Sequence, residues 1–132
     1  MTDYINTQRQ FGLANEQPVI DRLQTYFNEI ITKTEERYCL YDGYSENCKY
    51  EIKTRRNKYS TYPTTLVGIN KLKVKGNLRF VFSFTDGLYY IDYDEELFNT
   101  FDVKETIYSK NGTLLRNVAH IFIPIQLLVL IP

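Results

Sequence analysis

The sequence predicts a mixed α/β domain in which a central β-sheet is flanked by helices. Apolar residues recur at helical spacing over residues 12–33, whereas residues 78–84 are dense in aromatic and β-branched side chains, as strands are. Further strand-like segments lie on both sides of that strand, and such an order is typical of helices packed on a sheet. The length of 132 residues fits one domain with one core, residues 1–132.

The first predicted element is a helix over residues 12–33. Its apolar residues follow steps of three and four and are Leu13, Val19, Ile20, Leu23, Phe27, Ile30 and Ile31. Asn15 is the candidate N-cap, and Pro18 lies in the first turn, where proline is tolerated. The polar residues 32–37 are expected to end the helix.

Two short strands are predicted next, at residues 38–42 and 48–54, around a turn rich in Gly, Ser and Asn. In the second strand the alternation of side chains places Glu51 and Lys53 on one charged face. The opposite face of that strand is mostly apolar. After a basic connector, residues 64–72 are predicted to form a short helix that follows Pro63.

The remaining elements are predicted from turn signals and β-propensity. The strand at 78–84 is expected to form a hairpin with residues 88–92 through the turn Thr85-Asp86-Gly87. Residues 94–98 form a short acidic turn or helix. Two more strands, 101–108 and 115–123, are predicted around the Lys110-Asn111-Gly112 turn.

The charges are segregated along the chain although the formal net charge is zero. Nine basic residues and one acid lie between Lys49 and Arg79, whereas seven acids and one base lie between Asp86 and Glu105. Two interpretations stay open: oppositely charged loops that pair with each other, or a basic face for a polyanion such as nucleic acid. The zero net charge excludes a histone-like polymer binder.

Composition also excludes several kinds of site. Two cysteines and one histidine are too few for a disulfide scaffold or an ordinary zinc site, and the glycines are too isolated to cradle a phosphate. No secretory signal is evident, so we expect an intracellular protein of the cytoplasm or nucleus. The longest apolar run, 121–131, is about half the ~20 residues of a membrane span. Its first half is expected in the core and its second half in a homodimer contact.

Three acids and a lysine form a candidate site. Glu16 lies on the first helix, Asp42 ends one predicted strand, and Glu51 and Lys53 follow on the next strand. Adjacent strands bring such residues to one end of a sheet, where clustered carboxylates repel each other unless a cation lies between them. Carboxylate oxygens suit Mg²⁺ or Mn²⁺, and a lysine beside them can offset charge that develops on a phosphate.

This arrangement resembles the PD-(D/E)XK nuclease superfamily. The resemblance covers residues 12–93 and is carried by Asp42, eight intervening residues and Glu51-Ile52-Lys53, with Glu16 in the first-helix position that many members use. Tyr41 stands where the proline of the family name is expected.

The resemblance implies a restriction-endonuclease-like core and a divalent-metal-dependent nuclease that hydrolyses phosphodiester bonds. By that likeness Asp42, Glu51 and the Ile52 carbonyl would hold Mg²⁺ or Mn²⁺, Lys53 would serve the attacking water, and Glu16 would complete or orient a second metal ion. The small size resembles that of dimeric members that act on branched DNA. A structure-selective DNA endonuclease such as a Holliday-junction resolvase is therefore the expected activity.

The basic residues that follow the motif extend this hypothesis to substrate contacts. Phosphate contacts are expected from Arg55, Arg56, Lys58 and Lys71. Tyr62 and, with less support, Tyr59 are candidates for stacking on bases. We expect DNA rather than RNA as the partner, and the abundance of Asn, Ile, Lys and Tyr is typical of an AT-rich genome such as that of a virus or phage.

Several alternatives stay open. A second acid-x-Lys triplet, Asp102-Val103-Lys104, ranks lower because few residues follow it. Glu51 and Lys53 are also explained by a cross-strand ion pair on an exposed face, which would contribute little to stability. The chain could be a catalytically inactive nuclease-fold module that binds nucleic acid or protein. It could also be a structural viral protein with an incidental acidic cluster.

Overall fold

The computed structural model describes residues 16–36, 39–110 and 113–132. The predicted N-cap Asn15, the apolar Leu13 and the Asn111-Gly112 turn lie outside these residues. The strands are β1 Thr32–Lys33, β2 Gly43–Tyr44, β3 Lys49–Thr54, β4 Thr64–Gly68, β5 Leu78–Phe84, β6 Gly87–Asp92, β7 Val103–Lys110, β8 Thr113–Pro124 and β9 Val129–Ile131. The helical elements are α1 over 16–27, α2 Glu95–Phe98 and the 3₁₀ helices Ile69–Lys73 and Ile125–Leu127.

In the described part of the chain the strands form two sheets. A six-stranded sheet has the order β1-β2-β3-β5-β6-β9, and a three-stranded sheet has the order β4-β8-β7. The six-stranded sheet is mixed, because β3 and β5 run parallel while its other pairs are antiparallel. The coarse prediction of an α/β domain with a central mixed sheet is therefore confirmed.

Each face of the six-stranded sheet has its own core. On one face, α1 packs through residues such as Ile20 and Leu23 against Tyr50 of β3 and Val81 of β5. On the other face the three-stranded sheet contributes apolar residues of β4 and β8 that pack with Phe80, Phe82 and Phe84. The predicted flanking by helices is found on the first face, whereas a small sheet covers the second face in the described part of the chain.

The first helix is shorter at its carboxyl end than its apolar spacing predicts. Residue 27 is its last helical residue, and Asn28 has the left-handed φ of 53°. The Glu29 N–H donates to the Gln24 carbonyl at 3.2 Å, a hydrogen bond that is typical of helices that end at a left-handed residue. Ile30 and Ile31 therefore leave the helix, and Ile30 is 84% exposed.

The strand predicted at residues 38–42 lies further along the chain. β2 consists of Gly43–Tyr44, within the segment predicted as a turn, and it pairs with both β1 and β3. The turn to β3 is closed by Ser45, whose N–H donates to the Cys48 carbonyl at 2.7 Å. Asp42 consequently lies immediately before β2 instead of at the end of a strand.

The connection from β3 to β5, hereafter the crossover, differs from the predicted helix. Residues 64–72 form the strand β4 followed by the 3₁₀ helix Ile69–Lys73. β4 pairs antiparallel with β8, so this strand belongs to the second sheet. Thr65 and Val67 of β4 are buried while Leu66 is exposed, which is the alternation of a strand.

The second half of the chain follows the predictions closely. β5 has the predicted bounds, β6 returns as its hairpin partner, and Asp94 caps the short helix α2 by accepting the Leu97 N–H at 2.9 Å. β7 and β8 form the predicted pair, and the last residues add β9 to the edge of the large sheet beside β6. Within the described residues, no helix combines the length and apolar character needed to cross a membrane.

Candidate active site

Asp42 is held at the start of β2 by bonds to the neighbouring strand. Its N–H donates to the Tyr50 carbonyl at 2.8 Å, and its Oδ2 accepts the Ile52 N–H at 2.7 Å. Its carbonyl accepts the Thr34 N–H at 2.9 Å. The carboxylate is thereby fixed beside β3, next to the Glu51-Ile52-Lys53 segment, as the predicted site requires.

Glu51 is the buried centre of this group of residues. Its register partner in β5 is Phe80, a residue of the core between the two sheets, and its side chain is 2% exposed. The interpretation of Glu51 and Lys53 as an ion pair on an exposed face is therefore wrong. The second sheet covers the face that the alternation in β3 marks as charged.

Two lysines neutralise Glu51 through one of its oxygens. Lys53 Nζ lies 3.1 Å from Oε1, and Lys71 Nζ approaches the same oxygen at 3.4 Å. The Lys53 side chain is 32% exposed and the Lys71 side chain 22% exposed, so both reach from the surface inward. The other oxygen, Glu51 Oε2, is buried and has no hydrogen-bond partner among residues 16–36, 39–110 and 113–132.

The acids of the site act on one another. Burial raises the pKa of Glu51, and the Asp42 carboxylate raises it further against the opposing effects of Lys53 and Lys71. The pKa of Glu16 is raised by burial, then by Asp42, and by Glu51 as well, while Lys33 opposes the change. Helix α1 therefore brings Glu16 within electrostatic range of both other acids.

The donor set suits a hard divalent cation. No three or more His, Cys, Asp or Glu side chains of residues 16–36, 39–110 and 113–132 form a group that could hold a metal ion by themselves. Mg²⁺ is nevertheless usually bound by one or two carboxylates together with water and substrate phosphates. The unpartnered Glu51 Oε2, the nearby Asp42 carboxylate and the Ile52 carbonyl fit such an incomplete set.

Of the predicted phosphate contacts, Arg55 is engaged within the protein. Its Nε donates to Thr65 Oγ1 at 3.2 Å, its Nη2 donates to the Leu66 carbonyl, and its guanidinium lies over the Phe82 ring. Burial lowers its pKa. Arg55 therefore links the end of β3 to β4, and its guanidinium is engaged there, contrary to the expected phosphate contact.

Lys71 was expected to contact a phosphate beside the scissile bond, but the structure places it on Glu51. It is the residue of the site whose position sequence reasoning missed. The pairing of the crossover with β8 helps to bring the 3₁₀ helix Ile69–Lys73 to Glu51 of β3, and no local pattern encodes that placement. A basic residue some twenty positions after an acid carries no signal by itself.

The remaining candidate contacts lie on the surface near the end of β3. Arg56 and Lys58 are exposed, and Tyr62 is 60% exposed beside a cavity of about 200 Å³ that Leu66 and Ile125 also line. Tyr59 differs, because its ring stacks on Tyr89 with centroids 4.1 Å apart and its hydroxyl donates to the Ile125 carbonyl. Tyr59 is thus a packing residue.

The segregated charges meet in at least one place. Arg79 Nε lies 2.6 Å from Asp92 Oδ1, an ion pair that joins the basic and acidic runs across β5 and β6. In the second acid-x-Lys triplet, Asp102 and Lys104 are both exposed, whereas Glu51 of the first triplet is buried. Their exposure agrees with the lower rank that the sequence assigned to them.

No protein-family model matches this chain, and no curated protein or solved structure matches it significantly.

Proposed function

We propose that the chain is a divalent-metal-dependent nuclease that hydrolyses phosphodiester bonds, with a restriction-endonuclease-like core. The observation that carries this proposal is the buried Glu51 carboxylate, which lies near Asp42 and contacts two lysines. One of its oxygens has no partner within the part of the chain that the structure describes. Replacing a buried ion pair by apolar residues is often neutral or stabilising, so stability alone gives little reason to keep this cluster. Perturbed carboxyl groups beside lysines are typical of catalytic sites.

The arrangement of strands supports the same proposal. Helix α1, the meander β1-β2-β3 and the parallel pair β3-β5 follow the order of helix, strands and crossing connection that the superfamily resemblance implies. The crossover departs from it, because it carries β4 and a 3₁₀ helix where a helix was expected. The acids lie at the end of the sheet where β2 begins and α1 approaches.

Each residue of the site has a proposed role. Asp42, Glu51 and the Ile52 carbonyl would hold Mg²⁺ or Mn²⁺, and Glu16 would complete or orient a second ion. A bound ion of this type supplies a Lewis acid for phosphate oxygens and makes water more acidic. Lys53 would orient the attacking water and offset the negative charge that develops on the phosphate. Arg56 and Lys58 would contact flanking phosphates, and Tyr62 would stack on a base.

We further propose that DNA is the substrate and that branched DNA is preferred, as in a Holliday-junction resolvase. The length of 132 residues fits one domain, the size that the resemblance associates with dimeric members that act on branched DNA. A second copy of the chain would then supply the second active site of a two-strand cleavage. The exposed apolar residues near the last strand, Leu127, Val129 and Leu130, are a candidate contact for that copy.

The decisive experiment compares matched neutral variants of the two acid-x-Lys regions. Labelled single-stranded, duplex, forked and four-way-junction DNAs are incubated with Mg²⁺ or Mn²⁺ and wild type, Asp42→Asn or Asp102→Asn. The amide oxygen of Asp42→Asn can still accept the Ile52 N–H, so the fold should persist. We expect Asp42→Asn to lose about 100-fold or more in cleavage rate and Asp102→Asn to keep the wild-type rate.

A second candidate function is a non-catalytic module that binds nucleic acid. The pairing of Glu51 with both lysines favours it, because the two ammonium groups already neutralise the buried carboxylate without a metal ion. This candidate would be supported if the folded wild-type protein binds one of the four DNAs but cuts none of them with either metal. An equal loss of cleavage in Asp42→Asn and Asp102→Asn would contradict the assignment of the active site to Asp42 and its neighbours.

A further inference from the structure

Lys71 reaches the candidate active site from the crossover. Its Nζ lies 3.4 Å from Glu51 Oε1, the oxygen that Lys53 Nζ approaches at 3.1 Å from within β3. Lys71 Nζ also lies 3.4 Å from the carbonyl oxygen of Leu40, to which it donates. Two ammonium groups from different elements therefore converge on one carboxylate oxygen.

The burial of Glu51 explains why two cations are needed. Its side chain is 2% exposed and has lost most of its hydration, which is costly for a charged group without partners. Asp42 and Glu16 add negative potential at the same place. The lysines offset this potential through Oε1, and no described residue provides a partner for the buried Oε2.

We propose that Lys53 and Lys71 are exchangeable counter-ions of Glu51, which neutralise it until a divalent cation binds and then pair with the phosphates of bound nucleic acid. Lys71 is thereby assigned to the scissile phosphate instead of a flanking one. This assignment rests on the proposed function, since the substrate supplies the phosphates.

The exchange couples the binding of cation and nucleic acid. Without nucleic acid, a divalent cation that binds the free Oε2 takes over the neutralisation of Glu51, and the two ammonium groups on Oε1 lose most of their attraction to it. With nucleic acid present, the ammonium groups form ion pairs with its phosphates. Each ligand therefore raises the affinity of the other by the same factor, as thermodynamic linkage requires.

The test measures Mn²⁺ affinity of the full chain by titration calorimetry, first without DNA. Removing the Lys71 charge in Lys71→Met should tighten Mn²⁺ binding by about tenfold, because one competing cation is gone. Lys73→Met is the matched control, since Lys73 is an exposed lysine of the same 3₁₀ helix, and it should bind Mn²⁺ as the wild type does. Lys71→Gln replaces Lys71→Met if the latter does not fold, as judged by circular dichroism.

The second stage repeats the titration with a short DNA duplex. The duplex should strengthen Mn²⁺ binding more in the wild type than in Lys71→Met. Unchanged, weaker or undetectable Mn²⁺ binding by the folded Lys71 variants without DNA would overturn the exchange. Because this readout is independent of cleavage, tighter binding without any DNA cutting would overturn the nuclease proposal alone, and cutting with unchanged Mn²⁺ affinity would overturn the exchange alone.

Discussion

Tyr50 and Glu51 are adjacent residues of β3 whose side chains enter the two opposite cores, and both are buried. The Tyr50 hydroxyl donates to Glu29 Oε2 at 2.5 Å and accepts from Arg79 Nη1 at 3.0 Å. The Tyr50 hydroxyl therefore both donates and accepts, whereas one Glu51 oxygen finds no partner in the described ranges of the chain. This contrast separates a polar group that is satisfied within the fold from one that is left available for a ligand.

Sequence reasoning identified Asp42, Glu51 and Lys53 because their spacing along two strands is visible in the chain. It left open whether Glu51 is exposed, since alternation in β3 marks a charged face but does not say what covers that face. The covering sheet contains β4 and β8, and β8 lies far along the chain from β3. Long-range pairing is therefore the information that local patterns lacked at this residue.

Cys48 allows a prediction about thiol reactivity. It is buried, and burial raises its pKa to about 11 against the opposing effect of Arg79. At pH 8 its thiolate should be about 100-fold rarer than for an ordinary cysteine. We expect Cys39→Ser, which retains Cys48, to react with Ellman's reagent far more slowly than Cys48→Ala, which retains the more accessible Cys39.

The control for that comparison is denatured protein. Both variants should react at the same rate in guanidinium chloride, where burial is lost. Equal rates for the two folded variants at pH 8 would contradict the burial of Cys48. Raising the pH toward 11 should accelerate the Cys48 reaction, because the thiolate fraction grows as the pH approaches the raised pKa.

At the level of elements, the crossover is the part of the fold that the sequence predicted least well. β5 and β6 were recognised because aromatic and β-branched residues flank an Asp-Gly turn. Residues 64–72 lack such a signal, and their short apolar run suits a helix as well as a strand. Pairing with β8 makes residues 64–68 a strand, in which Thr65 lies opposite Ile123 and Val67 lies opposite Ile121.

The return from the crossover into β5 depends on Gly76. Its φ is +83°, and a Cβ added there would meet nothing within 4 Å. We expect Gly76→Ala to lower the free energy of unfolding by about 1 kcal/mol, purely through the cost of a left-handed backbone for alanine. Urea denaturation of wild type, Gly76→Ala and the neighbouring surface variant Lys75→Ala measures this effect.

Lys75→Ala serves as the control because the Lys75 side chain is exposed. The Lys75 carbonyl accepts a hydrogen bond from Lys49 Nζ, and the substitution leaves this carbonyl in place. Its change in free energy of unfolding should stay within about 0.5 kcal/mol. An equal stability of Gly76→Ala and Lys75→Ala would show that the turn does not need glycine.

At the scale of the whole molecule, the six-stranded sheet has one core on each face. Leu23 of α1 belongs to the first core and Ile123 of β8 to the second, and both are fully buried. β5 and β6 contribute to both cores through their alternating side chains, whereas the apolar residues of β3 belong to the first core. The two cores therefore share their central strands, and loss of one core removes support for the other.

This sharing predicts one cooperative unfolding transition. Leu23→Ala and Ile123→Ala should each lower the free energy of unfolding by about 3 kcal/mol while the transition stays single. Urea unfolding followed by circular dichroism and by tyrosine fluorescence should give coincident curves for wild type and both variants. A second transition in either variant, or separated curves from the two probes, would show that the cores unfold independently.

The crossover also governs how the chain reaches its fold. The parallel pair β3-β5 needs the crossover in place, and the crossover carries β4, whose partner β8 follows much later in the chain. Loop-closure entropy must therefore be overcome for two sheets before either one is complete. Such a high contact order places folding on the scale of roughly milliseconds to seconds. During that interval the strand edges are unpaired, so refolding yields should fall as protein concentration rises.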